Sequence, residues 1–205
     1  MKDIVENILD YMATDGIAYD IQKVQTAHRI KLVDSWGIKP GSRVLEIGCG
    51  QGDTTAVLAH FVGEDGMVHG VDIASPTYGS PITLGESAEK LKQSKLGSRI
   101  KIDFNIDILS QNVDFPTNTF DYIVFSHCSW YLSSRDELLS IMKKVKSWGK
   151  TLCLAEWSTD ISSIEQYPHL LAIIIQAHYE VFKEESESNV RTLFTPQDSG
   201  YQVSC

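Results

Sequence analysis

Residues 44–53, Val-Leu-Glu-Ile-Gly-Cys-Gly-Gln-Gly-Asp, restrict the fold of this chain more than any other stretch. Val44 to Ile47 read as a short buried strand. Gly48, Gly50 and Gly52 then make a tight turn, and Asp53 opens a helix whose apolar residues Val57, Leu58, Phe61 and Val62 recur at helical spacing. A turn without Cβ atoms lets a ligand approach bare backbone, and the N–H groups of the following helix point at it. Such a unit suits a nucleotide-type cofactor.

The surrounding pattern fits that turn into a layered fold. Helical periodicity over Ile4, Val5, Ile8, Leu9 and Met12 stops at Gly16, and a second helix is predicted over about 20–36. Gly37, Pro40 and Gly41 then mark a turn. Strands are predicted at 43–47, 67–73, 99–105, 120–126 and 151–156, with helices at 53–62, 83–96 and 134–147. A last helix covers about 163–185, started or interrupted at Pro168 and ending in the charged run Lys183-Glu184-Glu185. Ser134 and Glu137 have the spacing of a capping box, and Gly149 closes that helix. Alternation of this kind implies an α/β chain, a Rossmann-like, doubly wound, mainly parallel sheet with helices on both faces. One domain is expected over 1–205: an N-terminal helical cover to 40, a cofactor-binding core over 41–157, and a helical lid with a short tail over 158–205.

Charge excludes one class of partner. A formal net charge of −9, with no basic stripe, argues against nucleic-acid binding, which needs clustered Lys and Arg. The acidic, helically periodic start is unlike a signal peptide, and no apolar run reaches the ~20 residues of a membrane span. Cys49, Cys128, Cys153 and Cys205 have neither zinc-type pairing nor disulfide-scaffold density, so no metal is expected and a reduced, cytoplasmic protein is.

Glycine spacing discriminates between cofactors. A dinucleotide fingerprint is Gly-x-Gly-x-x-Gly, whereas this chain has Gly-x-Gly-x-Gly preceded by Glu46, with Asp53 where the third glycine would stand. A carboxylate at that helix start opposes a pyrophosphate and tolerates a cationic ligand. Asp72, at the end of the second predicted strand, can accept hydrogen bonds from a ribose diol and suits either cofactor. Asp72 also has the makings of a cap for its own loop, and Asp107 and Asp53 of turn or cap residues.

On these residues the segment from Gly41 to Trp157 resembles class I S-adenosylmethionine-dependent methyltransferases. The resemblance implies that the first motif, Glu46, Gly48, Cys49, Gly50 and Gly52, curls around the methionine part of the cofactor. It further implies that Asp72 holds the ribose with Ile73 beside the adenine, and that the Asn105–Ile108 segment, through Asp107 and Ile108, meets the adenine amino group. Ser126 then leads the fourth strand toward the substrate. The loop 75–81 and the segment 191–196 also look like a bacterial subgroup of small-molecule methyltransferases labelled similar to cyclopropane-fatty-acid synthases.

A sulfonium is already an activated methyl donor, so alignment and exclusion of water are the protein's main tasks. A base is needed only if the acceptor must lose a proton. The turn 126–131, Ser-His-Cys-Ser-Trp-Tyr, is the expected place for such groups. His127 is read as base or orienting group, with a hydrogen-bonded loop histidine as the alternative. Tyr131 and Trp130 are read as walls for an apolar acceptor or as core. Glu156 is read as facing the cleft or lying on the surface, and Tyr19 and His28 as cofactor cover. Leu170 to Ile175, with His178 and Tyr179, suggest a lid, core or dimer contact.

Members of the resembled family continue past the fifth strand with a helix and two more strands. Here Thr195 to Asp198 look like the start of the helix, and only Ser199 to Cys205 follow, which implies that those C-terminal strands are missing and that the fifth strand has an open edge, a reason for homodimer formation. The reading that results is methyl transfer to a small-molecule acceptor. A non-catalytic binding protein of the same fold and a nicotinamide-dependent oxidoreductase are the alternatives.

Overall fold

Elements form where period and caps agree. The computed structural model describes residues 2–14, 16, 19–184, 186, 188 and 190–195. In chain order these form α1 (Lys2–Leu9), α2 (Tyr19–Ser35), β1 (Arg43–Ile47), α3 (Asp53–Val62), β2 (Met67–Val71), α4 (Leu84–Gln93), β3 (Ile100–Asp103), β4 (Phe120–Ser126), α5 (Arg135–Val145), β5 (Gly149–Ala155) and α6 (Tyr167–Glu180). The sheet order is β3-β2-β1-β4-β5. β1 runs parallel to both β2 and β4, and β2 parallel to β3, with Glu46 opposite Gly70 and Val124. This is the doubly wound α/β sheet that strand–helix alternation requires. Its strand order reverses at β1, which therefore ends in the crevice where such sheets bind ligands.

Two compact units divide the chain: the described residues of 1–126 with 144–154, and those of 127–143 with 155–195. In the first, Ala56, Val57, Leu58, Ala59 and Val62 of α3 are fully buried, together with Val44 and Leu45 of β1 and Val33 of α2. Each buried Val or Leu side chain contributes about 1.5–3 kcal/mol, and each Ala methyl about 0.8 kcal/mol. α3 exposes little beyond His60, so its N-terminus is fixed beneath the turn that precedes it. In the second unit a smaller cluster forms from Trp130, Leu138, Ile173, Val190 and Phe194. There the Trp130 indole N–H donates to the Phe194 carbonyl at 3.4 Å.

Several boundaries differ from the sequence expectation. β2 ends at Val71, so Asp72 and Ile73 lie on the connection beyond it, where a side chain is free of the strand's alternation. The Asp72 N–H still donates to the Asp103 carbonyl at 3.0 Å. The helix expected over 83–96 stops at Gln93, and its start carries a capping box between Thr83 and Glu86. The expected box at Ser134 is half present. Ser134 accepts the Glu137 N–H at 3.2 Å, but the Glu137 carboxylate turns back to the N–H of Ser133 instead, at 2.7 Å. Pro168 sits in the first turn of α6, where its missing N–H costs nothing, and the helix ends before the charged run at 183–185. The expected helix start at 195–198, beyond Thr195, and the tail 199–205 lie outside the described residues.

Candidate functional site

The glycine turn is built on backbone that only glycine enters cheaply. Gly48, Gly50 and Gly52 have φ of 71°, 52° and 85°. Gly52 is the N-cap of α3, and a Cβ added there would meet Leu91 Cδ1 at 2.5 Å, so two constraints coincide at that position. At Gly50 an added Cβ would meet nothing within 4 Å, leaving open space over the turn. The turn is pinned from below by the N–H groups of Gly48 and Cys49, both donating to the Val71 carbonyl at 2.9 and 3.2 Å. Cys49 itself is buried against Gly70, where an added Cβ would lie 3.1 Å from its sulfur.

Asp72 joins that turn to the two strands beside it. One carboxylate oxygen accepts the Gly50 N–H at 2.7 Å, and the other accepts the Ala74 N–H at 2.9 Å. The loop-capping and ligand-facing readings of Asp72 are thus compatible, because each oxygen keeps a lone pair. The Asp72 carbonyl accepts from Ile106 at 2.9 Å, and the Ala74 carbonyl from Asn105 at 3.1 Å. The segment after β3 is thereby laced to the segment after β2. Ile73 is 69% exposed beside this lattice, while Ile108 is buried beneath it. Asp107 is exposed and caps its own turn, accepting the Leu109 N–H at 2.8 Å. Ser126, at the end of β4, lies with its hydroxyl 3.3 Å from that of Thr54 in the first turn of α3.

Beneath the turn is a buried polar cluster. Glu46 is 2% exposed and is hydrogen-bonded to the Thr55 hydroxyl at 2.5 Å. Burial pushes its carboxyl up to about 8, against a lowering by the Thr55 hydrogen bond and by Arg29. Arg29, from α2, bridges Asp53 at 3.2 Å. Asp53 is therefore neither helix cap nor free carboxylate but the partner of an arginine. The Nε and Nη1 atoms of Arg29 are buried with no hydrogen-bond partner. Unpaired buried guanidinium nitrogens cost free energy, so they mark a place where an anionic group fits. Sequence reasoning missed Arg29 because, within the helical run 20–36, it reads as one more basic residue. Tyr19 is exposed and His28 half-buried on the same helix.

The remaining candidates lie in the second unit. His127 has φ of 54°, in the left-handed region unfavourable to a non-glycine residue. Its N–H donates to the Ala155 carbonyl at 2.8 Å, and its ring lies 4.6 Å from that of Trp157. Tyr131 is 48% exposed, whereas Trp130 is core. Glu156 is not a surface carboxylate: it accepts from Ser129 N–H and hydroxyl at 2.9 and 2.8 Å, and from the Trp157 N–H at 2.9 Å. A cleft of about 380 Å³ in this unit is lined by Ser133, Glu180, Lys183, Arg191 and Thr192 among others. On α6, Leu171, Ile174, Ile175 and Tyr179 are exposed, while Ile173 is buried in the apolar cluster with Leu170 and Ala177 packed against it.

Residues 3–186 match the ubiE/COQ5 methyltransferase family. The chain is 32% identical over 129 residues to the ubiquinone/menaquinone biosynthesis C-methyltransferase UbiE of Vibrio cholerae, covering 63% of this chain and 46% of that one. It is 29% identical over 163 residues to the demethylmenaquinone methyltransferase of Bacillus mycoides, covering 75% and 61%. The chain thus spans about half the length of the curated relatives it matches. Among solved structures it is similar to a cyclopropane-fatty-acyl-phospholipid synthase-like protein from Lactobacillus casei, with a TM-score of 0.89 at 38% identity, covering 98% of this chain and 74% of that one. A SAM-dependent methyltransferase from Aquifex aeolicus shares the fold, with a TM-score of 0.51 at 23% identity over 66% of each chain. Among the described residues, no helix is long and apolar enough to cross a membrane.

Proposed function

We propose that this chain, which belongs to the ubiE/COQ5 methyltransferase family, binds S-adenosylmethionine and directs its methyl group to a small-molecule acceptor in the cytoplasm. The observation that carries this reading is the bond between Asp72 and the Gly50 N–H, which unites a ribose-type acceptor with an open, Cβ-free turn. When bound, the cofactor supplies an activated methyl on a sulfonium, which departs as a neutral thioether.

This chain's own groups do the rest. Asp72 offers its remaining lone pairs to the ribose diol, and Ile73 offers exposed apolar surface to the adenine. The Asn105–Ile108 segment, tied to Asp72 by backbone hydrogen bonds, closes the adenine side through Asp107 and Ile108. Gly48, Cys49, Gly50 and Gly52 give the methionine part its backbone approach. The unpaired Nε and Nη1 of Arg29 suit its carboxylate, and Glu46 supports the turn from beneath through Thr55. Ser126 ends β4 and hands the chain to His127, which holds or accepts a proton from an acidic acceptor, while Tyr131 contributes an exposed phenol to the acceptor side.

The curated relatives are named for quinone methylation, and an electron-rich quinol-type ring is the first acceptor to try. The exposed apolar residues Leu171, Ile174 and Ile175 would serve a homodimer. Calorimetric titration with S-adenosylmethionine tests the core of the proposal. Binding in the micromolar range is expected, and its absence from folded protein would sink it. Release of S-adenosylhomocysteine with an acceptor panel tests the chemistry. Binding without turnover would favour a non-catalytic binding protein.

A further inference from the structure

The Glu156 carboxylate sits where two segments of the second unit meet. Its Oε2 accepts from the Ser129 N–H at 2.9 Å, the Ser129 hydroxyl at 2.8 Å and the Trp130 N–H at 3.4 Å. Its Oε1 accepts from the Trp157 N–H at 2.9 Å. Three donors thus belong to the turn that follows His127, and the fourth belongs to the residue whose ring lies against His127.

Only a carboxylate satisfies this set. It brings two acceptor oxygens, whereas a glutamine amide has one and would face a donor with its NH₂ group in either orientation. Burial opposes the charge and pushes the Glu156 carboxyl above its ordinary range. A buried charge is a poor device for stability alone, since an apolar group of similar size often serves as well. What the charge secures is a geometry. His127 holds an unfavourable φ of 54°, which persists only where neighbouring contacts over-determine it. Those contacts are the Ala155 carbonyl on one side of Glu156 and the Trp157 ring on the other.

We propose that Glu156 is a positioning residue, whose carboxylate clamps the 128–130 turn to Trp157 and so fixes the imidazole of His127 for the acceptor. The functional consequence rests on His127 facing the acceptor, as read above, but the clamp is measurable without any acceptor.

Protonated histidine quenches a neighbouring indole, so Trp157 emission reports the His127–Trp157 contact as a function of pH. Subtracting the emission of matched W157F proteins isolates Trp157 from the other three tryptophans. In the wild type, a titration in the histidine range is expected, and H127Q should abolish it. In E156Q, its midpoint is expected to move by at least about 0.5 pH unit, or its amplitude to fall by half or more. S129A, which removes one of four donors, should move it the same way by less. S129A alone carries the test if E156Q does not fold. A titration unchanged in S129A and in folded E156Q overturns the proposal, because a merely structural anchor would change only the melting temperature. The reading of His127 fails separately, if H127Q releases S-adenosylhomocysteine as fast as wild type.

Discussion

The glycine turn and the His127 turn both follow a strand of the same sheet, but they are held in opposite ways. Around Gly48–Gly52, backbone groups of three strand ends share one lattice through Asp72, and beneath them two guanidinium nitrogens of Arg29 are buried without a hydrogen-bond partner. Around His127 the polar groups are well satisfied: one carboxylate takes four donors, and the unfavourable backbone is held by contacts rather than by glycine. A site with unpaired buried donors is prepared for a ligand that supplies the missing partners. A site whose donors are already paired is prepared to hold a side chain still. On the function proposed above, the first is the place for the cofactor and the second the place for an acting group.

The largest effect expected concerns Glu46. Its pKa is raised from 4.5 unfolded to about 8 folded, so its contribution is fully present below 4.5 and is lost as pH rises through 8. Within that window each pH unit removes up to about 1.4 kcal/mol of wild-type stability. E46Q should flatten that slope, as read by chemical denaturation at a series of pH values. An unaltered slope would mean that burial does not hold the Glu46 carboxyl protonated in the folded chain. Next, D72A should weaken S-adenosylmethionine binding tenfold or more, on the order of 1–3 kcal/mol, since it also releases the Gly50 N–H. An unchanged dissociation constant would remove Asp72 from the site.

R29M sharpens the contrast. It should lower cofactor affinity about tenfold, ~1.4 kcal/mol, through the two unpaired nitrogens, and should also lower the melting temperature of the free protein, because Asp53 loses its ion-pair partner. A large loss of stability with no loss of affinity would make Arg29 a structural residue. Smallest of all, Y131F should leave stability within about 0.5 kcal/mol and cofactor affinity within twofold, given the exposure of Tyr131. Calorimetry and a melt on the same sample check both; a marked loss of cofactor affinity would break the division between the two sites.

The parts legible in the sequence were those whose chemistry is local. Three glycines at alternating positions and a strand–helix alternation are backbone signals, and they led to β1, α3 and the sheet around them. Asp72 was legible because it ends a β-rich run. Its strand stops two residues sooner than expected, and that is why both carboxylate oxygens reach backbone N–H groups. The residues that escaped are those whose meaning depends on a distant partner. Nothing near Arg29 in sequence announces that it will lie beneath a turn some twenty residues later. Glu156 reads as a surface carboxylate until Ser129 and Trp130 come to it. The half-formed box at Ser134 shows the converse: the motif was local, but Glu137 found better donors at Ser133.

The raised pKa of Glu46 has a consequence beyond the site. With its carboxyl raised to about 8, Glu46 keeps at neutral pH a proton that the unfolded chain gives up, so one of the carboxylates counted in the formal −9 is neutral in the folded chain. At this group folding takes up a proton, drawing on the buffer as well as on the chain. The heat measured for it depends on which buffer gives up the proton.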